Sequence, residues 1–146
     1  MKEFTSQTVL VPWDFSERSV DALEKALNLV DSPEHIEIVH VTPYPAVMEP
    51  GVVWGTVDEQ SIQQNLIDYF RKNVDPSHAD LKFVVLFGDP GSELVRHATD
   101  VDAGLIVISS HGHSGIKRFF LGSVAERVTR MASCPVLVLR KPHPED

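Results

Sequence analysis

Two short polar runs in this chain are spaced for phosphate chemistry. Ser109-Ser110-His111-Gly112 is followed, after nine intervening residues, by Gly122-Ser123. The apolar run Leu105-Ile106-Val107-Ile108 leads into the first, and a helix-like segment, Val124 to Met131, leads out of the second. Strand, glycine-containing loop and helix N-terminus form a layout that binds phosphate in many α/β proteins. Gly112 would let the loop turn its backbone N–H groups toward an anion. Gly122 would allow close approach just before the helix. Ser123 and the N–H groups of Val124 and Ala125 would then hold a terminal phosphate, aided by the helix dipole. A ligand-free reading stands beside this one. Ser123 to Glu126 spells an S-x-x-E capping box, and Gly122 could be a turn residue.

Other polar residues carry weaker chemistry. Asp14 closes the first apolar run, where a carboxylate can accept a ligand hydrogen bond or form an Asx-turn at the start of a helix. His111 and His113 lack a third ligand in spacing, so a protein-bound zinc is not expected. Lys117 and Arg118 could stand over phosphates or lie on a solvated loop. Residues 111–130 hold Lys117, Arg118, Arg127 and Arg130 against Glu126 alone, a basic spot suited to a small anion. The chain lacks G-x-x-x-x-G-K-[ST], G-x-G-x-x-G and G-x-S-x-G, which argues against a P-loop NTPase, an NAD site and a hydrolase elbow. After the first strand stands Asp14-Phe15-Ser16-Glu17 rather than a hydroxyl-rich flavin loop. No nucleophile is paired with an obvious base.

The positioning elements alternate. Thr8 to Trp13 reads as a strand, and Ser16 can cap the helix whose apolar face is Val20, Leu23, Leu27 and Val30. Pro33 ends that helix. Ile36 to Val41 is a second strand, apolar on both faces apart from His40. Pro43 to Thr56, with three prolines and two glycines, is irregular. Ile62, Leu66, Phe70 and Val74 place a helix over Val57 to Val74. Leu81 to Phe87 is a strand. Asp89 caps a short helix with Pro90 at its first position and Leu94, Val95 and Ala98 facing inward. Ala103 to Ser109, Ser123 to Met131 and Val136 to Leu139 complete the order as strand, helix and strand. Strands without polar alternation are covered on both faces, so the sheet is parallel and the fold is doubly wound in three α/β/α layers.

The bulk numbers agree with one domain over residues 1–146, the tail 141–146 being loose. A net charge of −8 argues against binding nucleic acid or anionic membranes. The single cysteine, Cys134, precludes an internal disulfide and reads as packing. With no signal peptide and no run long enough to span a bilayer, a cytoplasmic protein is expected.

The stretch from Ser109 to Leu139 resembles the universal stress protein family, whose nucleotide-binding members carry G-x-x-G, nine residues, then G-[ST]. Val9-Leu10-Val11-Pro12-Trp13-Asp14, Ile38-Val39-His40-Val41 and Gly88-Asp89-Pro90 are similar to the family's first strand, second strand and third-strand exit. The resemblance implies a five-stranded parallel sheet of order 3-2-1-4-5 with an adenine nucleotide alpha-hydrolase-like, Rossmann-like fold. Strand order then reverses between strands 1 and 4, so Asp14 and the 109–112 run meet at one crevice. It further implies ATP, with ADP or AMP as variants, and Mg²⁺ carried by the nucleotide. Asp14 would contact adenine or ribose, backbone at Val41 would meet adenine, and Pro12 and Trp13 would flank the base. The last strand would pair with a second copy. The expected role is a stress-response sensor or regulator with little or no turnover, not an enzyme. The alternative is a dimeric interaction module with a vestigial nucleotide site. One departure is that Ser109 replaces the first motif glycine, and a serine would be strained if that position needed a positive φ.

Overall fold

The structure is a computed structural model and describes residues 7–45, 58–110 and 121–140. Strands β1 (Val9–Pro12), β2 (Ile36–Thr42), β3 (Lys82–Phe87), β4 (Leu105–Ser109) and β5 (Val136–Leu139) alternate with helices α1 (Glu17–Leu29), α2 (Glu59–Asn73), α3 (Pro90–Asp100) and α4 (Ser123–Met131). Short 3₁₀ turns at Pro33–His35 and Pro76–His78 lead toward β2 and β3. The sheet is five-stranded, parallel and ordered β3-β2-β1-β4-β5, as the resemblance implied.

Burial on both faces is what makes the sheet parallel. Val9 and Val11 point into a core under α1 and α2, with Leu23, Ala26, Phe70 and Val107. Leu10 and Ile106 point the other way, into a core under α3 and α4 with Leu94, Ala98, Ala125 and Val128. Strand alternation thus feeds both layers from the same β1. The α2 side is aromatic. Phe70 stacks on Phe83 at 4.3 Å between ring centroids and meets Trp13 edge-on at 5.3 Å.

Element ends differ from the sequence reading for local reasons. The second helix starts at Glu59, because the Asp58 carboxylate accepts the Ser61 N–H; Val57 lies outside the described residues. Strand β4 starts at Leu105, not Ala103. The end of α3 unwinds through Asp102, a left-handed residue at φ 52°, and Ala103 N–H turns back to the Ala98 carbonyl. Gly104 lies so close to Gln7 that a Cβ would sit 2.2 Å from the amide oxygen, so any side chain there would require Gln7 to move. The 141–146 tail and all but the first three residues of the Pro43–Thr56 segment lie outside the described residues.

Two expectations fail. Ser16 occupies the N-cap of α1 but its hydroxyl caps nothing, because the Ser19 N–H bonds the Ser16 carbonyl instead at 3.1 Å. Strand β2 is not apolar apart from His40. Glu37 is also in it, 4% exposed, with its carboxylate paired to His97 of α3 and to Lys82 Nζ at 3.2 Å. The parallel register sets Glu37 beside Lys82, so a buried charge is tolerated where its partners are supplied by the next strand and helix.

Phe70 is 1% exposed at the centre of the aromatic layer. Phe70→Ala is expected to lower unfolding stability by about 3–5 kcal/mol, the usual range for emptying such a position. Urea unfolding followed by far-UV circular dichroism gives the value. A loss under about 1 kcal/mol would mean that α2 is not anchored through this ring.

Candidate functional site

Beyond the carboxyl ends of β1 and β4 lies a cleft of about 300 Å³. Its walls include Pro12, Trp13 and Asp14 from β1 and its exit, and Val41 from β2. Ser109 and Ser110 come from β4, and Gly122, Ser123, Val124 and Ala125 from the start of α4. These are the residues singled out from sequence, brought together around one space. His111 and Gly112, together with His113, Lys117 and Arg118, lie outside the described residues. Ser19, Val39, His40, Pro90, Leu94 and Ile108 also line the cleft and were not anticipated as site residues.

Asp14 is fixed by its own turn. Its Oδ1 accepts the Ser16 N–H at 2.9 Å, an Asx-turn, and the Ser19 hydroxyl at 2.7 Å. Its own N–H donates to Ser19 Oγ at 3.0 Å. Between Asp14 and Ser16, Phe15 is held left-handed at φ 66°, an outlier for an aromatic residue. The Asx-turn reading therefore holds, and Asp14 lines the cleft as well.

The β2 wall offers peptide groups. The β1–β2 register ends at Pro12 opposite Val39, and Trp13 N–H donates to the Val39 carbonyl at 2.8 Å. Val41 is the next residue facing that side, past the last β1 partner. The carbonyl that would continue the ladder, that of Trp13, accepts His40 Nδ1 at 2.7 Å. A carbonyl only accepts, so Nδ1 carries the proton. His40 was the one polar residue noticed in an apolar strand. Its place near the carboxyl end of β2 was the signal that it belonged to the site.

The β4–α4 wall is closed by a backbone bridge. Ser110, 4% exposed, donates its N–H to the Leu139 carbonyl at 2.8 Å, and its carbonyl accepts the Gly122 N–H at 2.6 Å. The chain thus leaves at Ser110 and returns beside it. Ser109 is the last residue of β4, in register with Leu139, and is not among the described residues with positive φ. The strain a serine would suffer in a left-handed position does not arise.

The capping-box reading is overturned. The N-cap of α4 is Gly122, so Ser123 is the first helical residue and Glu126 the fourth. The Glu126 carboxylate turns outward to Arg130 at 2.8 Å, and no side chain caps the helix. The Glu126 N–H takes the Gly122 carbonyl at 2.8 Å. The N–H groups of Ser123, Val124 and Ala125 meet no acceptor among the described residues, which leaves the positive end of the helix open to the cleft. Gly122 sits at φ −59° and ψ 154°, a conformation any residue adopts, so the turn itself does not demand glycine.

The basic spot is smaller than its residue count. Arg127 bonds Asp89 and Ser92, each at 2.9 Å, and Arg130 bonds Glu126. Arg127 ties α4 to the start of α3 and Arg130 pairs within α4 itself, so both charges already have carboxylate partners. Gly91 permits the clamp, since a Cβ there would fall 2.7 Å from Arg127 Cδ. The Ser92 N–H and hydroxyl, and then Arg127, hold the Asp89 carboxyl below the usual aspartate range. Burial pushes the Cys134 thiol up, in keeping with a packing role. No group of three or more His, Cys, Asp or Glu suited to a metal occurs among the described residues, and no helix among them is long and apolar enough to cross a membrane.

With the geometry in place, similarity to known proteins is informative. The profile of the universal stress protein family matches residues 5–140. Universal stress protein MJ0531 of Methanocaldococcus jannaschii is 33% identical over 143 residues, covering 94% of this chain and 84% of that protein. The solved structure of MJ0577, from the same organism, superposes with a TM-score of 0.69 at 25% identity, over 94% of this chain and 97% of that one. A universal stress protein crystallised in complex with cAMP superposes with a TM-score of 0.54 at 25% identity, over 92% and 96% of the two chains. The architecture is the adenine nucleotide alpha-hydrolase-like fold.

The Asp89 clamp makes a pH prediction. Folding favours the charged carboxylate, so its contribution is complete above the ordinary aspartate range. That contribution is lost as pH falls through that range to the lower folded-state value. Wild type should melt above Asp89→Asn at neutral pH, and the two curves should converge in acid. A gap in Tm that persists at pH 2 would sink this assignment.

Proposed function

The chain belongs to the universal stress protein family, and we infer that within it this protein binds an adenine nucleotide, with ATP as the reference ligand, to act as a stress-response sensor or regulator. The observation that carries this reading is the open N-terminus of α4. Three adjacent N–H groups face the same cleft as Asp14 and the peptide edge of Val41. Phosphate at one end and adenosine at the other would use both walls. The structural neighbour in complex with cAMP supports an adenine nucleotide as ligand.

The residues present fit such a ligand. The helix end supplies donors and a positive dipole for phosphate, while Val39, Leu94 and Ile108 supply an apolar wall. Mg²⁺ would arrive with the phosphates, since that ion keeps waters and takes few protein ligands. Turnover is slow in this reading. Asp14 and His40, the polar side chains of the β1–β2 wall, are each held by bonds that fix the β1 exit. We take the chain as one domain, acting in the cytoplasm, that binds neither nucleic acid nor membrane.

A second copy is expected on β5. Its outer edge is unpaired among the described strands, and Leu137 is exposed. A paired edge would remove an aggregation hazard. A homodimer is also compatible with the alternative reading, an interaction module whose cleft is vestigial, and the two are separable.

Adenine nucleotide is expected in the supernatant of the denatured protein, or micromolar binding of Mg-ATP by calorimetry to the stripped protein. Gly122→Val should weaken that binding at least ten-fold, with a stability loss of no more than about 1 kcal/mol, that of a poorer N-cap. Unchanged binding in the variant would take the phosphate away from the start of α4, whereas an empty protein indifferent to millimolar ATP favours the interaction module.

For the dimer, the backbone chooses the variant. The carbonyls of Pro135 and Leu139 bond β4, so the peptide groups of odd-numbered β5 residues point toward β4 and the N–H of Val138 points to the open edge. Proline at Leu137 would damage the sheet itself. Val138→Pro should leave the fold intact and sediment as a monomer. Persistent dimers would put the interface elsewhere.

A further inference from the structure

The ladder between β1 and β2 lacks its next rung. In parallel pairing, alternate residues of a strand turn their peptide groups toward the same neighbour. The Thr42 carbonyl accepts the Gly88 N–H on the β3 side, and the Val39 carbonyl accepts the Trp13 N–H on the β1 side. Val41, two residues past Val39, therefore turns its N–H and its carbonyl toward β1. The next rung would run from the Val41 N–H to the Trp13 carbonyl. It is not made. The register stops at Pro12 opposite Val39, and no backbone bond joins Val41 to Trp13.

A side chain takes the place of that rung. His40 Nδ1 donates to the Trp13 carbonyl at 2.7 Å. The imidazole lies edge-on to Phe15 at 4.9 Å and parallel within 14° to Phe83 at 6.5 Å. Both phenyl rings pack with the core under α1 and α2. A strand side chain stands off the plane of its sheet, whereas a ladder N–H lies within it. The His40 bond therefore draws the carbonyl out of line with the Val41 N–H. The Asp14–Phe15 turn follows at once, but Trp13 precedes it and still donates its own N–H to β2. The turn alone does not take this carbonyl out of reach.

We propose that His40 is a positioning residue of the cleft: by holding the Trp13 carbonyl, it keeps the Val41 N–H and carbonyl unpaired, as a donor beside an acceptor for the edge of a base. Such a pair complements a ring nitrogen beside an exocyclic amine, as adenine carries. The gap in the ladder stands on hydrogen bonding alone, and its use by a base rests on the nucleotide reading. Val41 and His40 both line the cleft.

The Val41 amide reports on this directly. Its hydrogen exchange is followed by ¹H–¹⁵N spectroscopy of the full chain without ligand. In His40→Leu the Trp13 carbonyl is released to Val41, and the amide should exchange roughly ten-fold more slowly than in wild type. A variant that merely loosened the fold would exchange faster. Adenosine binding, measured by calorimetry, should weaken roughly ten-fold in the same variant, the loss of one hydrogen bond. His40→Asn returns a donor where Nδ1 stood and should restore both values, whereas His40→Gln, with its donor one atom further out, should not. A Val41 amide that exchanges equally fast in His40→Leu overturns the proposal and credits the gap to the turn. So does an amide already protected in wild type, or adenosine bound equally well by His40→Leu, which would place the base elsewhere. A slowed amide in a protein whose wild type ignores adenosine would remove the nucleotide reading and, with it, the role assigned to the gap.

Discussion

Everything at the functional end of this molecule depends on where β1 stops. It is the middle strand, hydrogen-bonded to β2 on one side and β4 on the other. The chain fills one half of the sheet through β2 and β3, then crosses back past β1 to build the other. Right-handed crossovers place the helices of the two halves on opposite faces. The connections leaving β1 and β4 therefore diverge, and a crevice must open between them. No single residue makes that crevice. Residues decide only what it offers.

What it offers is largely backbone. Asp14 is engaged by Ser16 and Ser19, and His40 by the Trp13 carbonyl. Ser110 is tied through its peptide groups to Leu139 and Gly122. These bonds set the shape of the β1 exit and of the gap between β4 and α4. The N–H groups at the start of α4 meet no acceptor among the described residues, and Val41 lies past the last β1 partner. A wall built this way binds by fixed dipoles, with little rotamer entropy lost on binding.

The strand and helix order was legible because burial leaves a plain signature. Val9 to Val11, Ile106 to Ile108 and Val136 to Leu139 are unbroken apolar runs, and each is a strand. Part of the lining of the cleft was legible for a related reason, since topology carries the β1 exit and the β4–α4 connection to the same place, whereas Ser19 and Leu94 gave no such signal. Pairing between distant residues was not. Glu37 looks out of place until β3 supplies Lys82 and α3 supplies His97. Arg127 counts as free positive charge until Asp89, thirty-eight positions away, comes beside it. Ser123 and Glu126 match a capping box by spacing, yet the helix begins one residue earlier and the match is lost. A shift of one residue is below what local pattern resolves.

The short segment from Trp13 to Ser16 joins these threads. It turns the chain out of β1, places Asp14 on the cleft and sends Phe15 and the Trp13 ring toward α2. Phe15 holds a backbone conformation disfavoured for any residue with a side chain, and strain of that kind persists only when the surroundings over-determine it. Here they do so from both sides. The Asp14 carboxylate bonds the N–H of Ser16 below the turn. The rings of His40 and Tyr69 hold the Phe15 side chain above it, at 4.9 and 5.2 Å. The hydrogen bonds belong to the cleft, and the ring contact with Tyr69 belongs to a separate space between α1 and α2. The turn is a single rigid piece shared by both spaces rather than a loose connection between them.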